Sequence, residues 1–145
     1  MKRVTANTYR QDKYYPRVVR AVANILSQSD VVIPVEVLIE MGNLAQKNCE
    51  AWYRGQVPYL ERVFEGSLSK ANRILRIISF HAHDLNMLPR RTVYHQRGKN
   101  KKRLLQFSKS GNKDVEDAYS THYVWNQSPE KKRQVIEQSM PLIKR

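Results

Sequence analysis

The chain is short of several things that would narrow its chemistry at once. Its 145 residues hold one cysteine, Cys49, which excludes an intramolecular disulfide and a Cys-rich zinc site and suits a reducing compartment. A lone thiol of this kind is expected as a small buried apolar side chain. No run approaches the roughly 18 consecutive apolar residues of a membrane span. The N-terminus, MKRVTANTYRQDKYYP, opens with charge but lacks the apolar stretch of a secretory signal. A cytoplasmic location with no membrane partner is therefore expected. There is no phosphate-cradling glycine-rich loop, no nucleophile-elbow pattern and no Cys-His pair in recognisable context, so no cofactor is expected. Acidic residues are also scarce: 13 Asp and Glu face 26 Lys and Arg, a net charge of +13.

What is present is most concentrated between Pro89 and Lys113, PRRTVYHQRGKNKKRLLQFSKSGNK. This stretch carries Arg90, Arg91, Arg97, Lys99, Lys101, Lys102, Arg103, Lys109 and Lys113 without one Asp or Glu. Within it, Thr92 to Gln96 and Leu104 to Ser108 are β-branched and aromatic runs separated by Gly98-Lys99-Asn100-Lys101-Lys102, the pattern of a β-hairpin with a cationic tip. Charge packed this densely repels itself and is best accommodated opposite a polyanion. Nucleic acid is the first partner implied, ahead of an anionic membrane surface or an acidic protein. A basic surface kept only for solubility would spread its charge evenly, and this chain does not.

The hydrophobic fraction of 41% and a length suited to one domain predict a core that hides roughly two thirds of the unfolded chain's surface. Residues 1–15 mix Lys2, Arg3, Arg10 and Lys13 with Tyr9, Tyr14 and Tyr15. They read either as a basic, aromatic arm along a phosphate backbone or as a terminus whose tyrosines dock on the core. Pro16 suits the first turn of a helix to about Asp30, with Val18, Val19, Val22, Ile25 and Leu26 on its buried stripe. A second helix is predicted from near Pro34 to Gly42 and a third from about Ala45 to Arg54, stopping at Gly55. Short helix, tight turn, short helix is the spacing of a helix-turn-helix unit, in which Lys47, Asn48, Glu50, Ala51 and Arg54 would be the exposed residues of the second helix. Against that, residues 31–55 set Lys47 and Arg54 against Glu36, Glu40 and Glu50, a poor complement to phosphate.

Further along, WYRGQVPYLERVF, Trp52 to Phe64, is followed by Leu68-Ser69-Lys70 and later by Phe107-Ser108-Lys109-Ser110-Gly111. This combination resembles a family of small uncharacterised bacterial proteins over a span from the first helix to His122. The resemblance implies a bacterial or phage source and one shared domain, and it carries no functional residues across. Read physically, Tyr59, Leu60, Val63 and Phe64 form the apolar side of a short fourth helix. The longest helix runs from Ser67 or Ser69 to Asn86 with Leu68, Ala71, Ile74, Leu75, Ile78, His81 and Leu85 along one face. Asp114 caps a helix of about Val115 to Val124, and Ser128-Pro129 starts a last one whose apolar residues are Val135, Ile136 and Met140.

Enzyme-like constellations are sparse. His81 and His83 in HAHD lie two positions apart, about 200° around a helix, so they do not chelate one ion; His81 is expected as a hydrogen-bonded core histidine. Glu116 and Asp117, and Glu61 and Glu65, are carboxylates that a magnesium-dependent nuclease would need, but helix-dipole and surface ion-pair roles explain them more simply. Tyr94, His95 and Phe107 are either a base-stacking platform or, as expected from strand alternation, in part the hairpin's anchor on the core.

The sequence thus predicts a mainly α (α+β) fold, helix-turn-helix-like, with one basic, wing-like β-hairpin. Its parts are an arm at 1–15, a single helical domain at 16–127 with the hairpin at 92–108, and a lightly docked C-terminal helix and tail at 128–145. The expected function is non-enzymatic nucleic-acid binding, with double-stranded DNA favoured over RNA. The alternative is a protein-protein interaction module of regulatory or toxin-antitoxin type with an acidic partner, and the third reading is a metal-dependent nuclease. Oligomeric state is not legible.

Overall fold

The computed structural model describes residues 3–139. Six α-helices and a small sheet make an α+β, mainly helical fold: α1 (Tyr15–Leu26), β1 (Val31–Val32), α2 (Pro34–Glu40), α3 (Gln46–Tyr53), α4 (Leu68–Asp84), β2 (Leu88–Arg91), α5 (Lys113–Ser120), β3 (Thr121–Val124) and α6 (Pro129–Gln138). Two 3-10 turns, Tyr9–Gln11 and Leu60–Val63, complete the described elements. Leu60–Val63 stands where a short α-helix was expected: its amide bonds reach back three residues, Arg62 to Tyr59 and Phe64 to Glu61, and the chain turns extended at Phe64, while the Leu60 and Glu61 amides donate to the Gln106 and Phe107 carbonyls.

α1 and α4 supply the core. Val18, Val19, Val22, Ile25 and Leu26 on α1 and Ala71, Ile74, Leu75, Ile77 and Ile78 on α4 are buried, as amphipathic spacing requires. α4 starts where the Ser67 side chain accepts the Lys70 amide at 3.1 Å, an N-cap. Leu68, expected on the buried stripe, is 42% exposed because it stands at the open end of the helix. α1 ends at Leu26 rather than Asp30: the Asp30 carbonyl instead accepts the Trp125 amide at 2.7 Å, at the start of the sheet.

That sheet is the main departure from expectation. Its order is β1-β3-β2, all antiparallel, with Val32 opposite Tyr123 and Arg90 opposite His122. The expected helix over 115–124 therefore ends at Ser120, and Thr121-His122-Tyr123-Val124 is the central strand. Branched and aromatic residues here take the pleated state once strands from two distant segments lie beside them. β2 is an edge strand, so Pro89 removes no needed ladder bond. The hairpin, by contrast, is smaller than expected. One bridge, His95 to Leu104, holds its shaft, made by two backbone bonds in which the Gln96 amide donates to Arg103 and the Leu105 amide to Tyr94.

The terminal segments are docked. Val4 is 3% and Tyr9 4% exposed. Tyr9 packs against Tyr15 and Phe80 at 5.7 and 5.6 Å between ring centroids. Arg10 pairs with Asp84 at 2.5 Å, and Arg73 pairs with Asp12. Residues 3–15 therefore belong to the core's rim, not to a free arm; Lys2 lies outside the described residues. α6 buries no residue fully, but Val135 and Ile136 rest on the core and Lys132 reaches Asp30 at 2.7 Å. Met140, assigned to the same apolar side, lies outside the described residues.

Beneath the docked N-terminal segment sits His81, 6% exposed, its ring edge-on to Tyr15 at 5.9 Å. Neither ring nitrogen meets a hydrogen-bond partner, so it is a core histidine but not the hydrogen-bonded one expected. Burial pushes its pKa down from 6.5 to about 4, against the opposing pull of Asp84. Between these values the unfolded chain takes a proton that the folded chain refuses, so its contribution is intact above about pH 6.5 and declines toward pH 4. The loss is about 3 kcal/mol at full extent. In His81→Leu, urea midpoints measured from pH 7 to pH 4 should fall less steeply than in the native protein; parallel curves would refute a neutral buried imidazole.

Candidate nucleic-acid interface

α2 and α3 are joined by a tight turn. Gly42, at φ +80°, closes α2, with the Gly42 amide donating to Ile39 and the Asn43 amide to Leu38, the double bond of a Schellman cap. α3 ends in the same way: the Gly55 amide donates to Trp52 and the Gln56 amide to Ala51. Gly55 is also the point at which the hairpin approaches α3. A Cβ there would lie 2.2 Å from Gln96 Oε1, and its φ of +77° disfavours any side chain.

The hairpin is rooted on α3 by a cluster of rings. Trp52 donates its indole N–H to the Gln106 carbonyl at 2.7 Å and packs against Tyr94 and Phe107 at 5.9 and 4.9 Å. Tyr53 stacks on Tyr94 at 6.1 Å, and the Tyr94 hydroxyl meets His122 Nε2 at 2.6 Å. Burial pushes the Tyr53 phenol up to about 12 and raises that of Tyr94, so both are neutral, apolar supports. Burial likewise pushes the Cys49 thiol up to about 11; it is inert and packed, as its lone occurrence suggested. Phe107 is 3% exposed. Tyr94 and Phe107 are thus the anchor rather than a stacking platform, while His95 is exposed.

Two carboxylates hold the second side of the hairpin. Glu116 accepts the Phe107 amide at 2.9 Å and the Ser108 amide and hydroxyl at 2.6 and 2.5 Å. Glu61 accepts the Lys109 amide at 2.9 Å and the Tyr119 hydroxyl at 2.8 Å. Asp117 is occupied by Arg91 at 2.7 Å and Lys113 at 3.1 Å. Glu61, Glu116 and Asp117 are therefore spent on backbone, hydroxyl and ion-pair bonds, and no group of three or more metal-ligating side chains occurs among the described residues.

The cations fall into separate sets. Lys99, Lys101 and Lys102 stand exposed at the hairpin tip beside exposed Arg103, where an Arg103 amide bond to Asn100 at 3.2 Å closes the turn. Arg97 is the link to α3: its amide donates to the Tyr53 carbonyl at 2.7 Å, its guanidinium lies over the Tyr53 ring at 3.9 Å, and it approaches Glu50 at 4.0 Å. Lys47, Glu50 and Arg54 share one stripe of α3 by helical spacing, and Lys47 and Arg54 are exposed. Glu50, which weakened the case for this helix, is thus met by Arg97. Asn48 and Ala51 are half-buried; Ala51 borders that stripe by its spacing from Lys47 and Arg54, and Asn48 lies off it. Arg90, Arg91 and Lys113 form another set along β2 and the start of α5, partly neutralised by Asp117. Lys109 is exposed beside the Glu61 clasp.

Sequence reasoning missed Tyr53 as the support of Arg97 and Glu61 and Glu116 as anchors. The segments concerned, Pro58-Tyr59-Leu60-Glu61 and Phe107-Ser108-Lys109, bond to one another here.

Gly55→Ala should destabilise the protein by about 1–3 kcal/mol through the strain of a left-handed φ, with the flexible Gln96 side chain moving aside, read as a lower urea midpoint. Glu116→Ala orphans two amides and a hydroxyl, and should cost about 2–3 kcal/mol with faster amide exchange at Phe107 and Ser108; unchanged exchange there would refute the anchoring role.

No helix among the described residues is long and apolar enough to cross a membrane. Comparisons of the chain with protein-family models, with curated proteins and with solved structures returned no match.

Proposed function

We propose that the protein is a non-enzymatic nucleic-acid-binding protein whose preferred target is double-stranded DNA. The observation that carries this reading is the position of Arg97. It stacks on Tyr53 and reaches Glu50, so the exposed tip cations Lys99, Lys101, Lys102 and Arg103 are tethered to the helix whose outer stripe bears Lys47 and Arg54. Phosphate contacts from the tip fix register on a duplex, and α3 supplies at most a few base contacts. Arg90, Arg91, Lys109 and Lys113 add to the attractive field rather than to the grip.

Neither tryptophan is open to a partner in the interaction-module alternative, Trp52 being 0% and Trp125 6% exposed. What favours it is the exposed pair Val93 and Leu104, 66% and 61% accessible on the hairpin shaft, a spot suited to an acidic partner with an apolar centre.

With about five phosphates engaged, the logarithm of duplex affinity falls against log salt with a slope of roughly −4 to −5. Fluorescence anisotropy across a salt series should give that slope for the native chain. Changing Lys99, Lys101, Lys102 and Arg103 together to Ala should cut it by about 3 to 4. Absence of binding to duplex or single strands at low salt would reject the proposal.

A further inference from the structure

On the opposite side of α5 from the hairpin, α4 carries a feature that the hairpin reading leaves unused. Ser69, Asn72, Arg76 and Ser79 follow one another at three- and four-residue spacing and so share one stripe of the helix, with Arg73 beside it, one turn after Ser69. Two shallow clefts adjoin along it, with Asn72 and Arg76 lining both.

The first cleft, about 390 Å³, is bounded by Arg3, Ser69 and Arg73 as well as the shared pair, and no carboxylate lines it. Arg73 is paired with Asp12, whereas Arg3 and Arg76 have no ion-pair partner among the described residues and are exposed. Arg3 is not on a loose end. Its carbonyl accepts the Thr8 hydroxyl at 3.2 Å and its neighbour Val4 is 3% exposed in the core. Two guanidiniums with a hydroxyl and an amide nearby are the donor set of a phosphate site.

The second cleft, about 370 Å³, has a different floor. Leu75, Phe80, Val115 and Ala118 line it, with Asp114 at its rim. Phe80 is held in place by Tyr9 at 5.6 Å, and α5 holds Val115 and Ala118, because Asn112 caps that helix by accepting the Asp114 amide at 2.9 Å. An apolar floor with one aromatic ring and one carboxylate acceptor suits a flat heterocycle bearing an amino group. Arg76 and Phe80 are one turn apart, about 6 Å along the axis, so the phosphate donors and the apolar floor fall within the span of one small ligand.

We propose that the adjoining clefts on the α4–α5 face bind a mononucleotide, its phosphate between Arg3 and Arg76 and its base on the floor beside Phe80, with Asp114 accepting from the base. The site is separate from the hairpin and does not depend on duplex binding.

The test is a calorimetric titration of the full chain with adenosine 5′-monophosphate, and with adenosine and inorganic phosphate as its two halves. The nucleotide should bind at least about 10-fold more tightly than either half. Arg76→Gln, an exposed position that leaves the core intact, should weaken it by about 10-fold, and Arg3→Gln by a similar factor. The variant with Lys99, Lys101, Lys102 and Arg103 changed to Ala should bind the nucleotide unchanged. Four outcomes overturn the proposal: no heat at millimolar nucleotide, phosphate binding as well as the nucleotide, indifference to Arg76→Gln, or loss of binding in the hairpin variant.

Discussion

The structure depends on two carboxylates that receive backbone. Glu116 takes the Phe107 and Ser108 amides, and Glu61 takes the Lys109 amide and the Tyr119 hydroxyl. A charge-assisted bond to an amide is worth about twice a neutral one, and here several converge on three consecutive residues. They pin the end of the most cationic stretch of the chain to α5 and to the segment after α3. Without them, a strand with exposed Lys and Arg on both sides would have no reason to stay folded, since its own pairing amounts to a single bridge.

From that clasp the rest of the hairpin follows. Phe107 is drawn under Trp52 and alongside Tyr119 at 5.4 Å, Tyr94 closes over it, and Tyr53 covers Tyr94. Each ring is neutral and packed, so the cluster is rigid, and Arg97 lies on its outermost ring. Cationic side chains are thereby presented from an apolar base, which keeps their charges in solvent while their backbone is fixed. Pre-placed cations lose less freedom on meeting a phosphate than cations on a loose tail.

The same economy explains what the molecule lacks. Carboxylates are few, and the ones near the cations are occupied: Glu61 and Glu116 by backbone, Asp117 by Arg91 and Lys113, Glu50 by Arg97. No group of three or more metal-ligating side chains forms among the described residues, and the exposed tip carries no carboxylate. On the other side of α5 the pattern repeats at lower density, where Asp12 meets Arg73 while Arg3 and Arg76 stand open.

Local sequence determined a good deal. Amphipathic spacing located α1 and the buried face of α4, and Pro34, Gly42 and Gly55 bounded the helices of the α2–α3 corner. The run of nine cations marked the hairpin, because periodicity, capping and charge are properties of neighbouring residues. The sheet was decided only by tertiary structure. Thr121-His122-Tyr123-Val124 continues a helical pattern until β1 and β2, more than thirty residues upstream, offer it a ladder. The roles of Glu61, Glu116 and Tyr53 were likewise hidden, since Glu61 reads as a surface ion-pair carboxylate and Glu116 as a helix-dipole one until the backbone each serves is seen. So too was the cleft on α4, whose floor comes from α5 and whose first guanidinium comes from Arg3: a surface assembled from three distant segments has no spacing in the chain to announce it.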